Sequence, residues 1–135
     1  MASIYNDIRA ALEVHLSQIT GIPEIASENV SYTPTTGVPF VQPRLIPVSR
    51  RSAVRGLNPQ QRYDGVFRVF CYVPEGNGPA VADNLANLVI DAFDAATDIT
   101  LGGTRVSIDY AERDNGFVDS PWYYVSVNIG YYIYA

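Results

Sequence analysis

The chain has 135 residues, 47% of them apolar and 17% charged, with a net charge of −5. It is long enough to bury a core without covalent staples and too apolar to be disordered. The acidic balance argues against simple coating of nucleic-acid phosphate, and the lone Cys71 excludes an intrachain disulfide framework. One domain spanning residues 1–135 is expected. The start lacks a charged, apolar leader, and no apolar run approaches the roughly eighteen residues of a membrane span. A soluble protein made in a cytoplasm, with no membrane partner, is the expectation.

Residues 3–19 read as a helix. Ser3 can cap it, Asp7 favours its first turn, and Ile4, Ile8, Leu12, Leu16 and Ile19 form one apolar stripe. Gly21 and Pro23 stop it. His15 lies within the stripe, where a lone imidazole is more often a core or interface residue with one hydrogen bond than a metal ligand. A polar loop follows over residues 21–38.

The next stretch is the one around which the rest is organised. Two strand-like runs, residues 40–48 and 60–73, flank a tip at residues 49–59. Pro39, Pro43 and Pro47 place the first run at an edge or leave it paired on one side only. In the second, Tyr63, Gly65, Phe67, Val69, Cys71 and Val73 alternate with Arg62, Asp64, Val66, Arg68, Phe70 and Tyr72, the period of a strand. At about 3.3 Å per residue it spans roughly 45 Å, more than a small sheet easily covers, so a projecting hairpin is expected. Residues 44–68 hold six of the nine Arg and one acid, Asp64, a local charge of +5 against −10 elsewhere. Opposite fields on one small protein favour head-to-tail contact with a copy or a neighbour. The chain has no Lys, and Arg forks suit interface carboxylates, although a GC-rich codon bias explains the absence as readily.

A turn at residues 74–79 leads into a second helix, with Val81, Leu85, Leu88, Val89, Ala92, Phe93 and Ala96 as its buried stripe. Asp83, Asn87, Asp91 and Asp94 line its other face, either as a solvated surface or as a counter-charge for the Arg tip. Ile90 stands among them as a single exposed apolar residue. Residues 99–101 and 104–110 read as strands around Gly102-Gly103, with Val106, Ile108 and Tyr110 on one side. Residues 111–121 read as a polar loop. The closing run puts Tyr123, Val125, Val127, Ile129, Tyr131 and Ile133 on the core side. Its other face is aromatic at both ends and small and polar in the middle, a composition suited to interfaces. The fold class expected is α+β: an antiparallel sheet of about four strands with a long projecting hairpin and two helices on one face.

No constellation reads as an active site. Gly76-Asn77-Gly78 precedes a helix but lacks a third glycine, and Pro79 removes an amide donor. Asp109, Glu112 and Asp114 read as solvated loop acids rather than a calcium loop. Cys71 has no catalytic companion. No catalytic residue, metal or cofactor is expected. The Arg and aromatic residues of the second run would suit nucleic acid, but strand alternation explains them equally well.

A helix beginning Ile-Tyr-Asn-Asp-Ile-Arg-Ala-Ala-Leu, a Pro-broken strand, a long hairpin, a middle helix and a Tyr-rich final strand together resemble the tail terminator (tail completion) proteins of long-tailed bacteriophages. The resemblance covers nearly the whole chain and carries no catalytic residues. It implies a virion protein, assembled in the host cytoplasm, that forms a hexameric ring on the tail tube. Such a ring stops tube growth and offers a surface to the head-tail connector, with DNA only passing through its lumen. Arg50, Arg51, Arg55 and Arg62, against Asp83, Asp91 and Asp94, are the residues expected at the subunit or tube contact. The competing readings are a head-tail connector, neck or other minor tail protein, a small enzyme or ligand-binding domain, and a nucleic-acid-binding module.

Overall fold

The structure, a computed structural model, describes residues 3–28, 30–52, 60–95 and 97–135. Helix α1 (Ile4–Ser17) begins where Ser3 Oγ accepts the Asn6 amide at 3.2 Å, as the cap pattern requires. Ile8, Ala11, Leu12 and Leu16 are its buried stripe. Strand β1 (Glu24–Ile25) runs parallel to β2 (Phe40–Ser52), which pairs antiparallel with β3 (Gln61–Pro74). Helix α2 (Ala80–Ala92) follows, then β4 (Asp98–Leu101), β5 (Thr104–Arg113), β6 (Phe117–Asp119) and β7 (Trp122–Tyr134). The order is β1-β2-β3-β7-β5-β4, with β6 on β7.

The α+β class and the two helices hold, but the sheet has seven strands rather than about four and includes a parallel pair. The added strands β1 and β6 are two and three residues long, too short for alternation to mark. They lie in segments whose composition reads as loop.

One core joins the helices to one face of the sheet. Leu12 and Leu16 of α1, Val89 of α2 and Phe93 at its C-cap meet Phe67, Val69 and Cys71 of β3, Val106 and Ile108 of β5, and Val127 and Ile129 of β7. The inward residues of β3 and β7 are those the alternation assigns. In α2 the stripe is shifted: Ala82 and Ala86 are buried, Val81 is 47% exposed, and Ile90 packs against the core. His15 donates from Nε2 to the Ala92 carbonyl at 2.7 Å and meets Phe93 edge-on, so it caps the end of α2.

The long hairpin does not stand alone. β7 is one residue shorter than β3 and pairs with it from Pro74↔Trp122 to Arg62↔Tyr134, and Gln61 and Ala135 exchange both backbone hydrogen bonds. Beyond Tyr132, where β5 stops pairing, the sheet ends in a short three-stranded arm, because the Tyr-rich closing run supplies the hairpin's missing partner. The turn at residues 53–59 lies outside the described residues.

Two β-bulges reset the faces. Val48 is extra in β2, between Pro47↔Gly65 and Ser49↔Asp64. Asp109 is extra in β5, between Ile108↔Tyr131 and Tyr110↔Gly130. Tyr110 therefore leaves the face of Val106 and Ile108 and lays its ring over Gly130, where a Cβ would collide with it. Alternation carried through the bulge assigns it wrongly.

The edge of β2 is closed. Ala26 donates to the Val41 carbonyl at 2.8 Å. The Leu45 amide donates to Glu28 Oε1 at 3.1 Å, and Pro43 and Pro47, of the same parity, have no amide to offer. Arg9 holds the same Glu28 oxygen at 2.5 Å. Burial alone would raise the pKa of Glu28. The hydrogen bonds from Arg9 and the Leu45 amide, with the charges of Arg9 and Arg44, carry it below the ordinary value instead.

Hydrogen bonds likewise depress Asp98 (from Arg105, then Ser107) and Asp114 (from Asn128, then Ser126). Groups with depressed pKa values in the fold stabilise it above their unfolded values and lose that contribution as pH falls through the folded ones. Stability is therefore expected to drop on acidification below the ordinary carboxylate values of 3.8 to 4.5. Glu13, raised by burial, opposes the trend. Urea melts of the parent and Glu28→Gln between about pH 6 and pH 3 check this. The variant should lose about 1 kcal/mol at neutral pH and show a flatter acid limb.

The Tyr131 hydroxyl is buried and has no hydrogen-bond partner among the described residues, and burial pushes its pKa up to about 12. Tyr131→Phe is expected to leave thermal stability unchanged or to raise it by up to about 1 kcal/mol. A clear loss would show that the hydroxyl has a partner.

Candidate assembly surfaces

Strand β2 runs on through Ser52, so the adjacent arginines of the predicted basic tip point to opposite faces, and the bulge at Val48 decides which face each takes. Arg50 stands opposite Tyr63 on the core side of the arm, exposed, with its guanidinium carbon 5.7 Å from that ring's centroid. Arg51 stands opposite Arg62 on the outer side, its side chain 70% exposed, with only a 3.7 Å approach to Asp64. Arg62 is committed within the chain. Its Nε donates to Asp64 at 2.9 Å, an NH group donates to the Tyr134 hydroxyl at 3.0 Å, and its plane lies 4.4 Å from the Tyr132 centroid. Arg55 lies outside the described residues.

Among the acids of α2, Asp83 accepts from Arg113 at 2.6 Å. The pairing follows from the bulge at Asp109, which turns Arg113 toward the helix side opposite Val127. Asp91 and Asp94 are exposed, and no ion pair engages them among the described residues. The structure thus leaves Arg50 and Arg51 on one side and Asp91 and Asp94 on the other as the groups open to a neighbour. The two sets sit on different elements and do not meet within one chain.

The outer face of the sheet carries a surface that sequence reasoning found only in part. Phe40 stacks on Tyr72 with centroids 4.7 Å apart, Trp122 meets Phe40 edge-on at 5.1 Å, and Tyr124 lies 5.2 Å from Tyr72. Phe70 and the half-exposed Phe117 join through Tyr124 at 6.0 and 5.8 Å. The aromatic ends and polar middle of the closing strand are as expected. Only the register of β3, β7 and β6 could show that four segments contribute to one patch.

The polar middle is a network. Asp114 accepts from Ser126 Oγ at 2.8 Å and Asn128 Nδ2 at 3.1 Å, and Arg68 donates to Asn128 at 2.6 Å. Asp114 is therefore not a free loop acid but ties the β5–β6 connection to β7.

Cys71 is buried, and burial pushes its thiol to a pKa of about 12, so it is no nucleophile at neutral pH. Among the described residues no group of three His, Cys, Asp or Glu could hold a metal, and no helix is long and apolar enough to cross a membrane.

A groove of about 410 Å³ opens beside α2, lined by Pro23, Pro39, Val81, Asn84, Leu85 and Leu88. It lies at the end of the sheet where β2 begins, away from the arm.

A profile described as phage tail terminator protein matches residues 7–131. The chain belongs to the phage tail terminator family. It is thus a structural component of a bacteriophage tail, of a family that associates with other tail components. No curated protein matches the chain. A solved structure of 22% sequence identity superposes with a TM-score of 0.74, covering 96% of this chain and 94% of that one. At that identity the likeness shows the fold. The exposed Arg, Asp and aromatic groups described above are the candidate contact surfaces of this family member.

Proposed function

We propose that this tail terminator forms a closed ring, of six copies, on the last ring of the tail tube. The ring ends tube polymerisation and presents a docking surface to the head-tail connector, and DNA passes through its lumen without a specific site. The single observation that carries the reading is the separation of opposite charge within a family member: exposed Arg50 and Arg51 on the arm, exposed Asp91 on α2 and Asp94 just past its end. Two different surfaces that attract each other make a heterologous contact, which generates a ring when its rotation closes.

The aromatic end of the outer face is left for a tail partner, since Tyr, Trp and Phe anchor interfaces through large contact areas. The test is the mass of the protein across a concentration series, with electron microscopy of the largest species, then the same with purified tail tubes. Closed rings of about six copies that cap tubes and halt their growth are expected. Tubes that elongate unchecked in the presence of excess protein, or binding to connector but not to tube, would overturn the reading.

A further inference from the structure

We infer that the groove beside α2 is the socket for the arm of a second copy, entered by Pro47 and the bulged Val48. The inference rests on the ring reading above and names the contact that would build it. Three observations carry it.

Apolar side chains are unpartnered on both pieces. Val48 is 67% exposed because the bulge takes it out of the ladder, and Pro47 beside it is exposed too. In the groove, Val81 is 47% exposed at the helix position where a buried residue is expected. The volume of about 410 Å³ holds side chains of the size of Pro and Val.

The charges match beside the apolar contact. Asn84, Leu88 and Asp91 share one side of α2 at helical spacing, so Asp91 sits one turn beyond the groove wall. Arg50 and Arg51 follow Val48 by two and three residues. Seating Val48 against Leu88 brings the exposed Arg50 or Arg51 toward the exposed Asp91 carboxylate, and Asp94 lies just past the end of α2.

A chain cannot fill its own socket. Pro39 of the groove precedes β2, and Val48 lies toward the other end of that strand. At about 3.3 Å per residue the nine-residue separation is roughly 30 Å. The contact is therefore between copies, and because knob and socket differ it is head-to-tail.

The test is covalent trapping. Val48→Cys and Val81→Cys are combined in one chain, and the purified protein, at up to about 1 mM, is treated with a mild oxidant and in parallel with a short bis-maleimide that relaxes the geometry a disulfide demands. Buried Cys71 does not compete. The double variant is expected to give a ladder of covalent oligomers on a non-reducing gel. Each single variant should stay monomeric, and a mixture of the two singles should stop at the dimer. Val81→Glu added to the double variant should reduce the ladder at least tenfold.

Closed rings by mass and microscopy with no ladder would overturn the socket and leave the ring standing. A ladder whose products are open chains would keep the socket and overturn the ring. Covalent dimers from Val48→Cys alone would mean arm meets arm, and they would overturn the head-to-tail contact.

Discussion

Reversing Arg50, Arg51 and Arg55 to Glu together is expected to abolish ring formation and tail joining while the monomer stays folded. The monomer survives because little is lost within the chain. Arg51 makes only a 3.7 Å exposed contact with Asp64, and Arg50 only lies over Tyr63. Exposed pairs of this kind contribute about 0 to 1 kcal/mol. Between copies the consequence is much larger, because Asp91 and Asp94 would face like charge. Like-charge juxtaposition costs several kcal/mol, which is roughly a hundredfold or more in affinity at each contact. A closed ring repeats that penalty at every interface. Solution mass and electron microscopy read the assembly, and circular dichroism reads the fold. Arg62→Glu is the contrasting variant. It removes two hydrogen bonds and sets a carboxylate against Asp64, so it should lower the melting temperature of the monomer itself. Rings that form as usual from the triple variant would remove the arm from the subunit contact.

Gly65→Ala is expected to be strongly destabilising although it adds a single methyl group. Gly65 lies in β3 between Pro47 of β2 and Tyr131 of β7, on the core face. A Cβ there would overlap the hydroxyl and ring of Tyr131 and come within 2.7 Å of the Ile46 carbonyl. Tyr131 is only 2% exposed and has nowhere to go, and a backbone carbonyl within a ladder cannot yield without breaking the register. The loss should be about 3 kcal/mol, at the upper end for overpacking, and roughly 10 °C in melting temperature. Adding Tyr131→Phe removes the hydroxyl and should recover part of the loss, the remainder belonging to the ring carbon that stays and to the Ile46 carbonyl. A Gly65→Ala protein as stable as its parent would contradict the alignment of these three strands.

Much of the fold was legible because long elements repeat their period. The stripe of α1, its Ser3 cap, and the inward faces of β3 and β7 are each stated several times over by Ile, Leu, Val and aromatic residues. The Pro-broken β2 was legible for a different reason: an imide that cannot donate excludes a central position. The two-residue β1 and three-residue β6 gave no such signal. The bulges were invisible because one inserted residue looks like ordinary alternation until its partner strand is known. Hence alternation puts Tyr110 on the wrong face. Arg50 and Arg51 read as one patch for another reason: the tip reads as a turn, whereas β2 continues through Ser52 and sends neighbours to opposite faces. Val81 was assigned to the buried stripe because an apolar residue at helical spacing reads the same whether it faces a core or an open groove.

By itself, the sequence determined the α+β class, the two amphipathic helices, the two alternating faces of β3 and the separation of basic from acidic segments. These depend on residue type and local period, which a linear chain carries in full. The tertiary structure alone decided which of the predicted charges remain free. Arg62 and Asp83 are consumed by Asp64 and Arg113, partners brought to them by strand register and by a bulge. It also decided that the arm is three strands wide and that the aromatic residues of four segments form one surface. Those outcomes depend on pairing between residues far apart in the chain, and no local pattern encodes which residue will stand opposite which.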